Sequence, residues 1–150
     1  MTLVINNAGI AQPGSFLAAD SEDFARSIFE TNYFAVRMSN AFAPILKTNG
    51  GGALLNVLSV ASWVNDGELP AYSASKSAAW SLTNALRNEL AAQKAQVLGL
   101  HMAYVDTDFT RGFDVPKSSP EEIFRLVLDE SNRASMRCRP MNSPSRSSTG

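Results

Sequence analysis

The stretch ALLNVLSV, residues 53–60, decides the fold class of this chain. It is an apolar run of strand length in which apolar residues do not alternate with polar ones. Strands that are buried on both faces have this composition, and they are typical of parallel sheets. TLVINNAGI at residues 2–10 opens with a second such run, and AQVLGLHM at residues 95–102 is a third. We therefore predict three parallel strands.

Segments with helical spacing of apolar residues separate and follow these strands. One is predicted over about 21–48, where Asp20 is a suitable N-cap. A second is predicted over about 70–93, because Pro70 suits a first helical turn. A third begins after Ser119. This alternation predicts an α/β fold with right-handed crossovers, in which ligands bind beyond the carboxyl ends of the strands.

Composition sets broad limits on function. The chain has 150 residues, 45% of them hydrophobic and 18% charged, which predicts one globular domain. A net charge of -1 gives no reason to expect nucleic acid or an anionic membrane as a partner. No run approaches the roughly 18 apolar residues of a membrane span, and no secretory signal is visible. Cys138 is the only cysteine, so a reducing, cytoplasmic setting is the default expectation.

The last part of the chain has a different composition. Residues 131–150 contain six serines, four arginines and two prolines, with no acidic and no aromatic residue. Such a segment buries too little apolar surface to offset its ordering entropy, so we predict a folded domain over 1–130 and a disordered tail over 131–150. A solvated tail without function is favoured over an anion-binding arm.

The stretch PAYSASKSAAW, residues 70–80, contains a possible catalytic pair. On a helix, Tyr72 and Lys76 lie on one face. Free tyrosine has a pKa of about 10, which is too high for an efficient base at neutral pH. A neighbouring ammonium group lowers that pKa, although the pair taken alone is a weak motif for which an ordinary first helical turn is the favoured interpretation.

Three other positions have both functional and structural interpretations. Ser59 ends the predicted second strand, where its hydroxyl could bind a carbonyl oxygen or simply belong to a turn. Asn32 lies within a predicted helix, where asparagine has poor propensity. It is either an exposed residue or a buried polar group that needs a partner. Residues 6–9, Asn-Asn-Ala-Gly, suit a turn.

Taken together, five motifs in order resemble those of the short-chain dehydrogenase/reductase family. They are NNAG at residues 6–9, ETNYFAV at 30–36, NVLSVAS at 56–62, YSASK at 72–76 and AYVDTDF at 103–109. The resemblance covers most of residues 2 to about 130. It implies a partial Rossmann-type, doubly wound parallel sheet, the C-terminal portion of that fold.

The resemblance also implies hydride transfer between NAD or NADP and a carbonyl or alcohol. Tyr72 would be the acid/base, and Lys76 would lower its pKa and hold the nicotinamide ribose hydroxyls. Ser59 would orient the substrate oxygen, and Asn32 would hold a water molecule that links the lysine to solvent.

The same resemblance implies further contacts with the cofactor. Asn7, Ala8 and Gly9 would lie against its ribose portion. Val105, through its backbone, and Thr107 would contact the nicotinamide carboxamide.

The sequence departs from the family pattern in three places. Ala103 and Tyr104 replace a Pro-Gly pair. The glycine-rich turn that binds the cofactor pyrophosphate has no counterpart, since the glycines at 50–52 precede a strand. The residue that selects NAD or NADP is missing with it, so the choice stays open. The tail replaces the last strand. We therefore expect a truncated chain with an exposed apolar first strand, low stability and weak or no activity.

An apolar set of residues would form the pocket rim, although each could equally belong to the core or anchor a loop. These residues are Trp63, Val64, Tyr104, Phe109 and Phe113. They predict a small apolar carbonyl or alcohol substrate. His101 is interpreted as structural, and no metal site is predicted. A homo-oligomer formed through the two long helices is expected.

Two alternatives to an active enzyme remain. One is an inactive remnant or dimerising interaction subunit, and the other is an α/β binding domain without redox chemistry, which the five ordered motifs disfavour.

Overall fold

The fold is an α/β arrangement around a three-stranded sheet. The structure is a computed structural model and describes residues 2–65 and 67–137. The strands are β1 (Leu3–Asn6), β2 (Gly52–Ser59) and β3 (Ala95–Met102), in the spatial order β1-β2-β3. Both strand pairs are parallel. The parallel α/β architecture predicted from the sequence is therefore confirmed.

Four helices accompany the strands. They are α1 (Ser21–Asn32), α2 (Phe34–Thr48), α3 (Pro70–Glu89) and α4 (Pro120–Arg137). Short 3-10 turns lie at Val60–Ser62, Ala91–Gln93 and Asp108–Thr110. Within the described ranges, no helix is long and apolar enough to cross a membrane.

The helix boundaries correct the sequence prediction in three places. The helix predicted over 21–48 is divided into two at Tyr33, whose ψ of -6° departs from the usual helical value. The segment predicted over 70–93 is α3 followed by a separate 3-10 turn. The last helix passes the predicted boundary at 130 and runs to Arg137, since arginine, alanine and methionine favour helix. Residues 138–150 of the predicted tail lie outside the described residues.

One apolar core lies between the sheet and helices α2 and α3. Its buried members are Val4, Leu46, Leu54, Leu86, Leu90, Ala95 and Val97. The opposite side of β1 is open, because Leu3 and Ile5 are 42% and 48% exposed while Val4 between them is buried. The predicted exposure of apolar residues on the first strand is thus observed.

Polar side chains inside the sheet fix the position of α3. Asn6 Nδ2 donates to Asn56 Oδ1 at 2.7 Å, which links β1 to β2. Asn56 Nδ2 donates in turn to Thr83 Oγ1 of α3 at 2.9 Å. Buried polar groups must find partners, so these two hydrogen bonds favour the observed placement of α3 over the strands. It sets the height at which the first turn of α3 meets the sheet edge.

Candidate active site

Three of the predicted catalytic residues meet at the carboxyl edge of the sheet. Ser59 is the last residue of β2, and Tyr72 lies in the first turn of α3. Ser59 is close enough to Tyr72 to act on the pKa of its phenol through hydrogen bonding. Lys76 follows one turn later, with Nζ 5.7 Å from the centroid of the tyrosine ring. All three are buried, at 7%, 9% and 5% exposure respectively.

Small side chains allow α3 to approach the sheet at this point. Pro70 occupies the first turn of the helix, as predicted, where its missing N–H leaves no intrahelical bond unmade. The small residues Ala71, Ser75 and Ala79 are almost completely buried. Larger residues there would push the helix away from β2 and separate Tyr72 from Ser59.

The pKa of Tyr72 is shifted in the direction opposite to the one predicted. Burial raises the pKa of its phenol above 10.0, and the hydrogen bond with Ser59 offsets only part of that rise. Burial outweighs any effect of Lys76, whose ammonium donates to the carbonyl oxygen of Val57 at 2.8 Å. Tyr72 is therefore a neutral phenol at neutral pH, a proton donor rather than a ready base.

Lys76 is itself perturbed by its surroundings. Burial lowers the pKa of its amine from 10.5 to about 8, since the charged form loses hydration. At neutral pH most of the amine is still protonated. At neutral pH, Tyr72 is thus a neutral phenol and Lys76 is mainly a charged ammonium.

Asn32 is a buried polar group, which decides between its two interpretations. It is 3% exposed, and its Nδ2 donates to Ser75 Oγ at 2.7 Å and to the carbonyl oxygen of Ile10 at 3.2 Å. Its Oδ1 accepts from the backbone N–H of Ile10 at 2.9 Å. Both amide protons are used, so a water molecule could bind Asn32 only by donating to Oδ1.

Ser75 is a site residue that the sequence analysis missed. Its hydroxyl accepts from Asn32 and donates to the backbone carbonyl of Tyr72 at 2.7 Å. It therefore links α1 to the helical turn that carries the phenol. Its position three residues after Tyr72, on the same helix face, was the one available signal.

The predicted NNAG segment lies beside these residues. A Cβ atom on Gly9 would lie 3.4 Å from Asn32 Oδ1 and 3.5 Å from Lys76 Nζ, so the glycine backbone is directly against both side chains. Asn7 and Ala8 are exposed. Ala8 lines an open cleft of about 610 Å³ together with Glu30, Thr31, Tyr33, Phe34 and Arg37.

The loop after β3 holds the predicted carboxamide contacts. Val105 pairs with Ser118 in a parallel bridge, and its carbonyl accepts from the side chain of Thr110. Thr107 is exposed and shares a capping box with Thr110. The loop comes near Tyr72 through Phe109, with ring centroids 6.2 Å apart.

The other predicted rim residues are divided between two places. Tyr104 and Phe113 pack on each other, with ring centroids 5.4 Å apart. Trp63 and Val64 line a separate cleft of about 150 Å³ beside α3. Of the rim residues, Phe109 is the one whose ring contacts Tyr72.

Known proteins resemble this chain in sequence. A family model described as "short chain dehydrogenase" matches residues 1–116. A 3alpha-hydroxysteroid dehydrogenase of Mediterraneibacter gnavus is 36% identical over 127 residues, which are 84% of this chain and 48% of that protein. The "Probable oxidoreductase EphD" of Mycobacterium bovis is 35% identical over 124 residues, 81% of this chain and 21% of that protein. The chain thus spans about half or less of these curated relatives.

Solved structures share the fold. A short chain dehydrogenase from Burkholderia cenocepacia in complex with NADP superposes with a TM-score of 0.80 at 36% identity, covering 87% of this chain and 56% of that one. A short-chain dehydrogenase from Sphingobium yanoikuyae in complex with NADPH gives 0.77 at 26% identity, covering 89% and 54%. The sheet and helices described above correspond to this Rossmann-type fold.

Proposed function

Because the chain belongs to the short-chain dehydrogenase family, we propose that it carries the catalytic residues of an NAD(P)-dependent oxidoreductase that interconverts a carbonyl and an alcohol. The observation that carries the proposal is the burial of Ser59 and Tyr72 as neighbours at this edge of the sheet, with Lys76 one turn away. Two hydroxyl donors that meet at the ligand-binding edge of a parallel sheet are suited to one substrate oxygen.

In the direction of reduction, the two hydroxyls polarise the substrate carbonyl. Ser59 Oγ and the Tyr72 phenol each donate a hydrogen bond to its oxygen, where negative charge develops. The raised pKa of Tyr72 keeps the phenol protonated until that charge forms, and the proton then passes to the new alkoxide oxygen. The Lys76 ammonium stabilises the phenolate left behind. A bound nicotinamide cofactor supplies the hydride in reduction and accepts it in oxidation.

The residues around Lys76 fit a nicotinamide nucleotide. The ammonium has three donors, of which one is directed at the carbonyl oxygen of Val57. It lies against Gly9, where the missing Cβ leaves room for a ligand hydroxyl. Relatives solved with NADP and NADPH support a cofactor of this class. The proposal covers NAD and NADP equally.

The substrate that we propose is a small apolar ketone or alcohol. Phe109 is half exposed and contacts Tyr72, so an apolar group would meet its ring beside the two hydroxyls. A relative named as a hydroxysteroid dehydrogenase supports an apolar alcohol substrate.

Cofactor binding and turnover test the proposal in two steps. The purified chain is titrated with NADPH and with NADH, and binding is read from cofactor fluorescence and thermal shift. Reduction of simple apolar ketones is then followed by nicotinamide absorbance. Tyr72→Phe should abolish turnover and leave cofactor affinity within about twofold, since it removes only the proton donor. Tyr33→Phe, on an exposed tyrosine, is the matched control. Equal turnover in both variants would refute the role of Tyr72.

A second candidate function is an interaction role without turnover. Phe34 and Ile45 of α2 and Trp80 of α3 are large apolar residues that are more than one-third exposed. We propose that these helices pair two copies of the chain, which sedimentation at several protein concentrations would detect. Dimers that bind neither NADH nor NADPH would favour this role over the enzyme.

A further inference from the structure

The backbone turn after Ser59 is held from two neighbouring elements. Ser62 Oγ donates to the carbonyl oxygen of Ser59 at 2.6 Å. From β3, Nδ1 of His101 lies 3.2 Å from that same oxygen and 3.0 Å from Ser62 Oγ. From α3, Ser77 Oγ donates to the carbonyl oxygen of Ser62 at 2.9 Å. Three side chains therefore fix a turn of only a few residues.

The partners of His101 determine which ring nitrogen carries the proton. A carbonyl oxygen only accepts, so its contact with Nδ1 requires a proton on that nitrogen. Ser62 donates its single hydroxyl proton to the carbonyl oxygen of Ser59, so its Oγ can only accept from His101 Nδ1. The network thus assigns the tautomer with hydrogen on Nδ1, which donates to both oxygens.

Aromatic contacts fix the plane of the imidazole. Trp63 stacks on it, with ring centroids 4.1 Å apart and planes inclined by 23°. Trp80 meets it edge-on, at 5.6 Å and 88°. These two contacts restrict rotation of the His101 ring, so its Nδ1 keeps a fixed direction.

The turn determines where the hydroxyl of Ser59 points. Ser59 is extended, with φ -151° and ψ 155°, and its Oγ accepts from the backbone N–H of Ala61 at 3.1 Å. The same side chain acts on the pKa of the neighbouring Tyr72 phenol through hydrogen bonding. Rotation of the peptide after Ser59 would move Ala61 and break this arrangement. We propose that His101 is a positioning residue for the reaction: by donating from Nδ1 to the Ser59 carbonyl and to Ser62, it keeps Ser59 Oγ directed at Tyr72.

This inference rests on the catalytic role proposed for Ser59, and two substitutions test it. In His101→Asn, the amide nitrogen is as many bonds from Cα as Nδ1, so the donor is kept. In His101→Leu, the donor is lost. We expect the leucine variant to lose kcat by up to about 100-fold, the cost of a misplaced catalytic group, with an unchanged KM for the cofactor. The asparagine variant should recover most of the loss. Equal kcat in the wild type and the leucine variant would overturn the inference, as would equal losses of kcat in both variants.

A second measurement does not depend on activity. Hydrogen exchange of the Ala61 amide reports its bond to Ser59 Oγ, so it should be faster in His101→Leu and close to wild type in His101→Asn. His101 is the only histidine in the chain, so nitrogen NMR reads its tautomer without assignment and should find the proton on Nδ1. If the leucine variant does not fold by circular dichroism, Ser62→Ala takes its place, with faster Ala61 exchange expected.

The two measurements separate the possible failures. Unchanged Ala61 exchange in the donor-less variant would overturn the positioning role. Faster Ala61 exchange in His101→Leu, together with a wild-type chain that shows no turnover, would support the contact and count against the proposed function alone.

Discussion

Replacing Asn32 by alanine should lower the free energy of unfolding by about 2 to 3 kcal/mol. The side chain makes three hydrogen bonds, two to the backbone of Ile10 and one to Ser75. It joins the segment after β1, the end of α1 and the first turns of α3. The substitution removes all three bonds at once and leaves Ser75 Oγ buried without its donor.

The magnitude follows from the surroundings of each bond. A buried hydrogen bond contributes about 1 kcal/mol net, and a buried group left without its partner costs about 1 to 3 kcal/mol. Ile10 is exposed, so water can replace part of what its backbone loses. Ser75 is fully buried and has no such replacement. The better helix propensity of alanine adds about 0.5 kcal/mol to the free energy of unfolding and so offsets part of the loss. These contributions leave the net loss given above.

Urea unfolding followed by helical circular dichroism measures this loss. Asn40→Ala in α2 is the matched control, since Asn40 is an exposed helical asparagine that gains the same propensity. The control should be unchanged or slightly stabilised. If the two variants unfold at the same urea concentration, the hydrogen bonds of Asn32 do not stabilise the fold and the reasoning fails. Asn32→Asp should be at least as harmful as alanine, because a carboxylate oxygen would face the carbonyl of Ile10.

Two further predictions concern Lys76 and its neighbour Gly9. Burial lowers the pKa of Lys76 from 10.5 to about 8, so the native state loses its proton before the unfolded state does. The contribution of Lys76 to the free energy of unfolding should therefore be constant below pH 8 and rise as the pH increases from about 8 to 10.5. Lys76→Met should lack this rise, and parallel pH curves for the two proteins would contradict the buried ammonium. In Gly9→Ala, the new Cβ would lie 3.5 Å from Lys76 Nζ and close the space proposed for the ribose. We expect the NADPH dissociation constant of this variant to rise about tenfold with little loss of stability. Gly112→Ala, where a Cβ meets nothing within 4 Å, is the control and should bind NADPH as the wild type does. Equal NADPH affinity in the two variants would exclude a ligand beside Gly9.

Local sequence patterns predicted the elements that are fixed by local chemistry. The apolar runs predicted all three strands, and Pro70 predicted the start of α3. Ser119 Oγ accepts from the N–H of Glu122 at 3.1 Å, so the predicted N-cap of α4 is present. The break at Tyr33 was not predicted, because tyrosine is no helix breaker and the turn arises where Asn32 bonds a distant segment.

The site was predicted as a set of residues and not as a network of contacts. Spacing and resemblance brought Ser59, Tyr72 and Lys76 together. Asn32 finds its partners 22 and 43 positions away, a separation that no local pattern encodes. The direction of the Tyr72 pKa shift depends on how deeply the ring is buried, which is a property of the packed molecule. His101 was expected to be structural, and its contacts with the backbone of Ser59 became visible only in the fold.

The two tryptophans of the chain both contact His101, which has an optical consequence. All intrinsic indole emission then originates beside the Ser59 turn, and none comes from the core under α2. Tryptophan emission measured during denaturation would report the unfolding of the region around the Ser59 turn, whereas circular dichroism reports the loss of all helices. An emission midpoint at lower denaturant would mean that the region around the Ser59 turn opens while the remaining structure is still folded.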